Sequence, residues 1–258
     1  AETATLSLKA QGMKEWLAKS KKAEVLKEEV KTIKEKLSDV DFINIPDLLS
    51  CDTRSWDGAN IAKAYFDDVV PHLRAMDFDF TKDLPIKDKL REYNIKEVLV
   101  IEGDPPQSML YQVYPTISTD IIKKFSEEMP EITVYAGIDQ YRSSMKEEEY
   151  RIRRKQLAGA KGFFTQPFFD MRYLEMYADL LDGLDIYWGV SPVLSERSVS
   201  YWRNKNNVIF PKDFEPTLEW NIEFARKVIE FARKHNHNVY LMPIKAKIMP
   251  YLEGVFAK

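Results

Sequence analysis

The sequence has little cysteine, little surplus charge and no long apolar run, and each absence excludes a class of protein. Cys51 is the only cysteine among 258 residues, so no disulfide can form within the chain, as is typical of a reducing compartment. The 38 Lys and Arg residues nearly balance the 41 Asp and Glu residues. A net charge of -3 creates no global field that would draw the chain to nucleic acid or to an anionic membrane.

Signals for secretion and membrane insertion are also missing. The first residues lack a basic segment followed by an apolar one, and no stretch is long and apolar enough to span a bilayer. We therefore expect a cytoplasmic protein. Glycine- or serine-rich linkers, low-complexity tracts and a dinucleotide-binding fingerprint are absent too. We expect a single domain over residues 1–258.

Short β-rich segments alternate with helical segments along most of the chain. Residues 98–101 form an uninterrupted apolar run, as expected of a parallel strand that is buried on both faces. The eight segments are residues 4–8, 41–46, 69–75, 97–101, 131–136, 162–169, 185–190 and 238–242. This alternation predicts a (β/α)8 TIM barrel, and the alternative is an open, doubly wound sheet.

The segments between the strands carry helical patterns. Residues 13–37 form a long charged stretch, and residues 217–234 place apolar side chains on one face. Within residues 116–129 the spacing predicts one buried face made of Ile117, Ile121, Ile122 and Phe125. Ser144 followed by Glu147 is typical of a capping box, so we expect a helix to begin near Met145.

Candidate ligand-binding residues lie at the ends of the predicted strands, where barrels of this type hold their ligands. The fourth strand ends in Glu-Gly-Asp-Pro-Pro at residues 102–106. There a glycine allows close approach of the backbone to a ligand, and a carboxylate projects at the strand tip. The sixth strand ends in Thr-Gln-Pro-Phe-Phe-Asp at residues 165–170. An amide beside aromatic rings suits a flat heteroaromatic ligand such as a pterin.

Three further motifs lie at or after the ends of predicted strands. They are Pro-His-Leu-Arg at residues 71–74, Gly-Val-Ser-Pro-Val at residues 189–193 and Val-Ile-Phe-Pro at residues 208–211. In this order and spacing, the five motifs resemble the methylenetetrahydrofolate reductase family. The resemblance covers roughly residues 69–212, and the flanking segments match by topology alone.

The resemblance implies a barrel that binds FAD, with methylenetetrahydrofolate stacked on the flavin and reduced to the methyl form. It implies that Asp104 lies near both rings and that Gly103, Asp120 and Lys155 contact the flavin. Gln166 would hydrogen-bond the pterin, with Phe168 beside it. From its charge, Arg74 is either a clamp for an anionic part of the substrate or a partner of a nearby aspartate.

Two departures from the family pattern concern the chemistry. The first strand has Ser7 or a neighbour where the family has the glutamate that protonates the substrate, and a hydroxyl is a poor general acid. Glu102 replaces the family's arginine before the Gly-Asp pair. Glu102 and Asp104 are two residues apart and would point the same way, which disfavours ionisation of both carboxyl groups. We hypothesise that Glu102 supplies the missing acid.

Three interpretations therefore stay open. The protein is a flavin-dependent reductase, or a pterin-binding partner in methyl transfer without flavin chemistry, or a non-catalytic barrel subunit that uses the charged 13–37 segment to engage a partner. The expected ligand is a reduced folate or methanopterin, and an electron-donor or complex partner protein and a homo-oligomer are compatible with each. We expect no metal site, because His235 and His237 lack a third ligand nearby.

Overall fold

The computed structural model describes residues 4–7, 19–38, 40–48, 53–106, 111–243 and 248–257. The strands are β1 (Ala4–Ser7), β2 (Phe42–Ile45), β3 (Val69–Arg74), β4 (Glu97–Ile101), β5 (Thr133–Ile138), β6 (Gly162–Pro167), β7 (Ile186–Val190) and β8 (Asn238–Leu241). From β2 to β8, each strand pairs in parallel with the next along the chain. The strand β1 pairs with β2 on one side and with β8 on the other. A parallel α/β fold of TIM-barrel type is therefore confirmed.

Helices cover the outside of this sheet. They are α1 (Lys19–Lys36), α2 (Ser55–Ala62), α3 (Lys87–Glu92), α4 (Ser118–Glu128), α5 (Met145–Ala158), α6 (Met171–Leu180), α7 (Glu196–Lys205), α8 (Leu218–His235) and α9 (Ile248–Phe256), with a 3-10 turn at Ala75–Asp77. The cap of α5 is confirmed, because the Ser144 hydroxyl accepts a hydrogen bond from the Glu147 N–H at 3.3 Å. Among the described residues, no helix has the length and apolar character needed to cross a membrane.

Alternation along the strands builds two cores. In β4, Val98 and Val100 face the helices, whereas Leu99 faces the interior of the sheet. The interior core is aromatic, and its centre is the stacked pair Phe164 and Tyr187, with ring centroids 4.1 Å apart. Because strands of this kind are buried on both faces, their sequences read as continuous apolar runs.

Details of the predicted elements are wrong, among them the end of the sixth strand, which is Pro167 and not residue 169. The fifth strand begins two residues later than predicted, because the Ile132 N–H donates to the Met129 carbonyl in a turn and the Glu131 side chain pairs with Arg91 outside the sheet. Ile117 was expected on the buried face of a helix. It precedes α4 and its side chain is 42% exposed. Cys51 and residues 13–18 of the predicted first helix lie outside the described residues.

Candidate functional site

A cleft of about 760 Å³ opens at the carboxyl ends of β4, β5 and β6. Its base includes Ile101 and Ile138, and its polar lining comes from the loops that follow these strands and from α5. Asp104 at the tip of β4 and Gln166 at the tip of β6 both line it. The motifs at the ends of the fourth and sixth strands therefore meet at one cavity, where parallel barrels place their ligands.

Glu102 is held against the start of α4. Its carboxylate accepts a hydrogen bond from the Ser118 hydroxyl at 2.7 Å and another from the Ser118 N–H at 3.1 Å. The first amides of a helix have no partner within the helix, and the helix dipole favours a negative charge there. Glu102 therefore caps α4 while it lines the cleft, so the negative charge that replaces the family's arginine is compensated locally.

The turn after Glu102 depends on glycine. Gly103 has φ +91°, a conformation that side chains rarely adopt, and a Cβ atom there would lie 2.7 Å from Nε of Arg74. The carbonyl of Asp104 accepts a hydrogen bond from the Arg74 guanidinium at 2.6 Å. Arg74 and the turn are thus in direct contact, and the exposed Asp104 carboxyl group is left at the cleft.

The assignment of Arg74 to substrate binding needs correction. Arg74 ends β3, is 4% exposed and is not among the residues that line the cleft. Its guanidinium lies beneath the Gly103–Asp104 turn and is 3.7 Å from the carboxylate of Asp77. Of the two roles considered for this arginine, the pairing with an aspartate is the one that the structure shows.

The tip of β6 is fixed by neutral side chains. The amide of Gln140, 1% exposed, donates from Nε2 to the Gln166 carbonyl at 2.7 Å and accepts from the Gln166 N–H at 3.1 Å. The hydroxyl of Tyr141 donates to the Pro167 carbonyl at 2.9 Å. Because its backbone is held on both sides, the half-buried Gln166 has a defined direction into the cleft.

Two predicted site residues lie elsewhere. Phe168 is fully buried and packs edge-on against Tyr177 and Trp188, with ring centroids 5.8 and 5.6 Å away. It belongs to the core behind β6 and is removed from the candidate site. Asp120 accepts a hydrogen bond from the Ile117 N–H at 3.1 Å, which makes it a capping residue of α4. It does not line the cleft.

The side of the cleft formed by α5 carries basic side chains. Lys155 is 9% exposed, and its ammonium group donates to the Gly137 carbonyl at 2.6 Å. Burial lowers the pKa of Lys155, and the nearby carboxylates of Glu148 and Glu102 partly offset this. The structure thus turns this lysine inward. The other basic side chains at the cleft are those of Arg142, Arg151 and Arg154.

This basic wall, which extends from Lys155 to Arg142, also contains the carboxylates of Asp139, Glu147 and Glu148, and its guanidinium groups fit an anionic arm of a ligand. Arg151 pairs with Glu147 at 2.6 Å, whereas Arg154 lies 5.9 Å from the centroid of the Tyr150 ring and is exposed. Guanidinium groups form two parallel hydrogen bonds with phosphate or carboxylate oxygens. Because the Glu102 carboxylate is bound to the start of α4, this donor set is compatible with the phosphate-bearing arm of a flavin.

Sequence reasoning missed Gln140 and the arginines of this wall. Gln140 gives no local signal, because its role depends on the position of β6 relative to the loop after β5. The arginines lie in a run of charges that usually marks a solvent-exposed helix face. Within the described part of the chain, no group of three or more His, Cys, Asp or Glu side chains is arranged to hold a metal ion.

The fold and the cleft define the class: an α/β-barrel protein with a polar cavity at the carboxyl ends of its central strands. No family model matches the chain. It is 22% identical over 147 residues to 5,10-methylenetetrahydrofolate reductase from Buchnera aphidicola subsp. Schizaphis graminum, which covers 55% of this chain and 50% of that protein. The chain thus matches about half the length of this curated relative.

Solved structures share the fold at low identity. An uncharacterized protein from Clostridium thermocellum that binds two copies of 5-methyl-5,6,7,8-tetrahydrofolic acid superposes with a TM-score of 0.63 at 13% identity, over 98% of this chain and 92% of that one. The carboxyl transferase domain of Rhizobium etli pyruvate carboxylase gives 0.60 at 8% identity, over 100% and 44%. The partial sequence similarity to a methylenetetrahydrofolate reductase agrees with the resemblance that the strand-end motifs carry, and the solved structures share the fold.

Proposed function

We propose that this chain binds the reduced pterin of a folate-type one-carbon carrier in the cleft and reduces its methylene form to the methyl form with a bound flavin. The observation that carries the proposal is the meeting of Asp104 and Gln166 at one cavity of about 760 Å³. The proposal treats residues 1–258 as one complete (β/α)8 barrel. The folate-binding neighbour of the same fold and the reductase relative support it.

Different residues of the cleft would contact different parts of such a ligand. Gln166 presents an amide that both donates and accepts, which matches the adjacent donors and acceptors on the edge of a pterin. Asp104 lies opposite, at the tip of β4. Gly103 permits close approach of a ring, and the wall of Lys155 and the neighbouring arginines holds an anionic arm. When bound, a reduced flavin supplies the hydride.

Proton supply is the step for which the chain departs from the family. Glu102 is the carboxyl group that we propose as the acid, since it lines the cleft at the tip of β4. As a carboxylate that accepts two bonds from Ser118, Glu102 has to leave Ser118 and take up a proton from water before it can donate that proton to the substrate. Ser118 can then satisfy its own N–H and hydroxyl with water, as other helix starts do.

A second candidate function is a pterin-binding partner in methyl transfer that uses no flavin. The contacts of Glu102 favour this function, because a carboxylate whose two oxygens both bond to the start of a helix serves mainly to stabilise that helix. In this case the same cleft would hold a methyl-carrying pterin, and no proton donor is needed at the tip of β4.

The visible spectrum of the purified protein separates the two. Flavin absorption near one equivalent per chain, bleached by photoreduction and restored by methylenetetrahydrofolate, is the expected result for the reductase. A colourless protein that binds 5-methyltetrahydrofolate in calorimetry favours the second candidate. Failure to bind either ligand contradicts both, and recovery of a stable partner protein would then favour the non-catalytic subunit.

A further inference from the structure

A chain of charged groups runs beneath the strand ends next to the cleft without lining it. Arg54, just before α2, donates to Asp47 from Nε at 3.0 Å and from Nη2 at 2.5 Å, and Nη2 also donates to Asp77 at 2.8 Å. Asp77 in turn lies 3.7 Å from Arg74. The side chain of Asp47 is 1% exposed and that of Asp77 is 11% exposed, so the two carboxylates are shielded from water, whereas Arg54 is partly exposed.

The chain of charges ends on the turn that carries Asp104. Arg74 donates to the Asp104 carbonyl at 2.6 Å, and Gly103 is so close that a Cβ atom would lie 2.7 Å from Nε of Arg74. The direction in which the Asp104 carboxyl group leaves the turn depends on this carbonyl being held. Arg74 can hold it only while its own guanidinium is fixed by Asp77, whose carboxylate is in turn bound by Arg54.

We infer that Arg74 is a positioning residue that sets the Gly103–Asp104 turn, and that Asp77, Arg54 and Asp47 hold Arg74 in place. The functional consequence rests on the proposed function, because the position of Asp104 matters to binding only if the cleft takes a pterin. Two guanidinium groups alternate with two carboxylates, which keeps the buried set neutral, and loss of one member leaves a buried charge unpaired.

A lysine cannot replace Arg74 in this role. The planar guanidinium places Nη2 both 2.6 Å from the Asp104 carbonyl and 3.7 Å from the Asp77 carboxylate, in a geometry fixed by the rigid plane, whereas an ammonium group is a point charge on a flexible stem. Arg74→Lys therefore keeps the charge balance of the network and loosens the turn. A purely structural role would lower the stability of the variant and leave the turn as it is.

The test uses three variants of the full chain. They are Arg74→Lys, Arg54→Gln and, as a matched control, Arg172→Lys, whose arginine pairs with Asp170 at the surface beside β6. Hydrogen–deuterium exchange of the amides of residues 102–104 is measured without ligand, and the Kd for 5-methyltetrahydrofolate is measured by calorimetry. Exchange reports on the turn, and the Kd reports on its consequence for binding.

We expect Arg74→Lys to speed exchange of these amides and to raise the Kd about tenfold, the effect of losing one hydrogen bond to a charged group. Arg54 contacts Arg74 only through Asp77, so Arg54→Gln should change the exchange rate and the Kd in the same direction as Arg74→Lys, but by roughly threefold. Arg172→Lys should change neither. If Arg74→Lys does not fold, the exchange rate of the Arg54→Gln variant tests the inference, because Arg54 is partly exposed and its replacement is better tolerated.

Unchanged exchange in a folded Arg74→Lys variant, or in Arg54→Gln where Arg74→Lys does not fold, overturns the inference whatever the Kd does. A wild-type protein that binds no 5-methyltetrahydrofolate, while exchange still rises in the variants, overturns the proposed function and leaves the positioning role supported. Faster exchange of equal size in the Arg172→Lys control would also overturn the inference, because the effect would then be general.

Discussion

The tips of β4 and β6 line the same cleft, but they are held by different chemistry. At the tip of β4, Arg74 donates a hydrogen bond to the carbonyl of Asp104, and the carboxylate of Glu102 caps α4. At the tip of β6, the neutral groups of Gln140 and Tyr141 bond the backbone of Gln166 and Pro167. One side of the candidate site thus depends on charge and the other on a buried amide.

This difference predicts different sensitivities. Contacts between charged groups change with protonation and with the loss of a counter-charge, whereas a neutral amide clamp changes only when a partner is removed. Substitutions at the tip of β4 should therefore differ from those at the tip of β6 in the kind of change that they cause as well as in its size.

The largest effect is expected at the β4 turn. Gly103→Ala introduces a side chain at φ +91° and 2.7 Å from Arg74, and should cost about 1–3 kcal/mol of unfolding free energy together with most pterin binding. Gly183→Ala is the control, since its φ is +79° and nothing lies within 4 Å of its Cβ position. Urea unfolding and calorimetry of both variants test this. Equal losses in the two would show that Arg74 does not constrain the turn.

At the β6 tip, Gln140→Ala leaves the N–H and carbonyl of Gln166 without their buried partner. We expect a loss of about 1–3 kcal/mol in unfolding free energy and weaker pterin binding. Gln156→Ala, at an exposed position on α5, is the control. The Kd for 5-methyltetrahydrofolate is the deciding measurement. A variant that loses stability but binds as tightly as wild type would show that the clamp does not direct Gln166.

Glu102→Gln gives a smaller effect on stability, because the amide oxygen can still accept one hydrogen bond from Ser118. We expect a cost of about 1 kcal/mol in urea unfolding. The informative measurement is turnover of methylenetetrahydrofolate by the flavin-loaded protein, which should fall if Glu102 supplies the proton. Full turnover would end the hypothesis that Glu102 replaces the family's glutamate.

The smallest effect concerns pH. Burial lowers the pKa of Lys155 in the folded protein below its unfolded value of 10.5, so the unfolded chain binds more protons between the two values. Stability should therefore rise with pH through that window in wild type. In Lys155→Met this rise should be absent, and in the exposed control Lys161→Met it should remain. Urea midpoints across alkaline pH measure it, and parallel curves for wild type and Lys155→Met would contradict it.

Much of the fold was predictable because apolar runs mark parallel strands and polar loops follow them. The directions of side chains just past the strand ends were not. Phe168 follows the last residue of β6, where the alternation of faces no longer applies, and it packs inward instead of facing the cleft. Arg74 is a charged residue in a fully buried strand, and its charge is compensated by Asp77, which is also bound by Arg54, a residue 20 positions earlier in the chain than Arg74.

The position of the cleft followed from the motifs, but its basic wall did not. Residues such as Arg154 belong to a helix whose composition is that of a surface helix. Whether such a face contacts solvent or lines a cavity depends on how the loop after β5 positions the helix, and no local sequence pattern encodes that position.

The most direct test is calorimetry of 5-methyltetrahydrofolate with wild type and with Gln166→Leu, which removes the polar amide at the β6 tip. The account predicts one binding site in the β4–β6 cleft and at least a roughly tenfold rise in the Kd of the variant, as expected for loss of buried hydrogen bonds to a ligand. Equal affinity in the two proteins, or no binding by wild type, would contradict the claim that this cleft holds a reduced pterin.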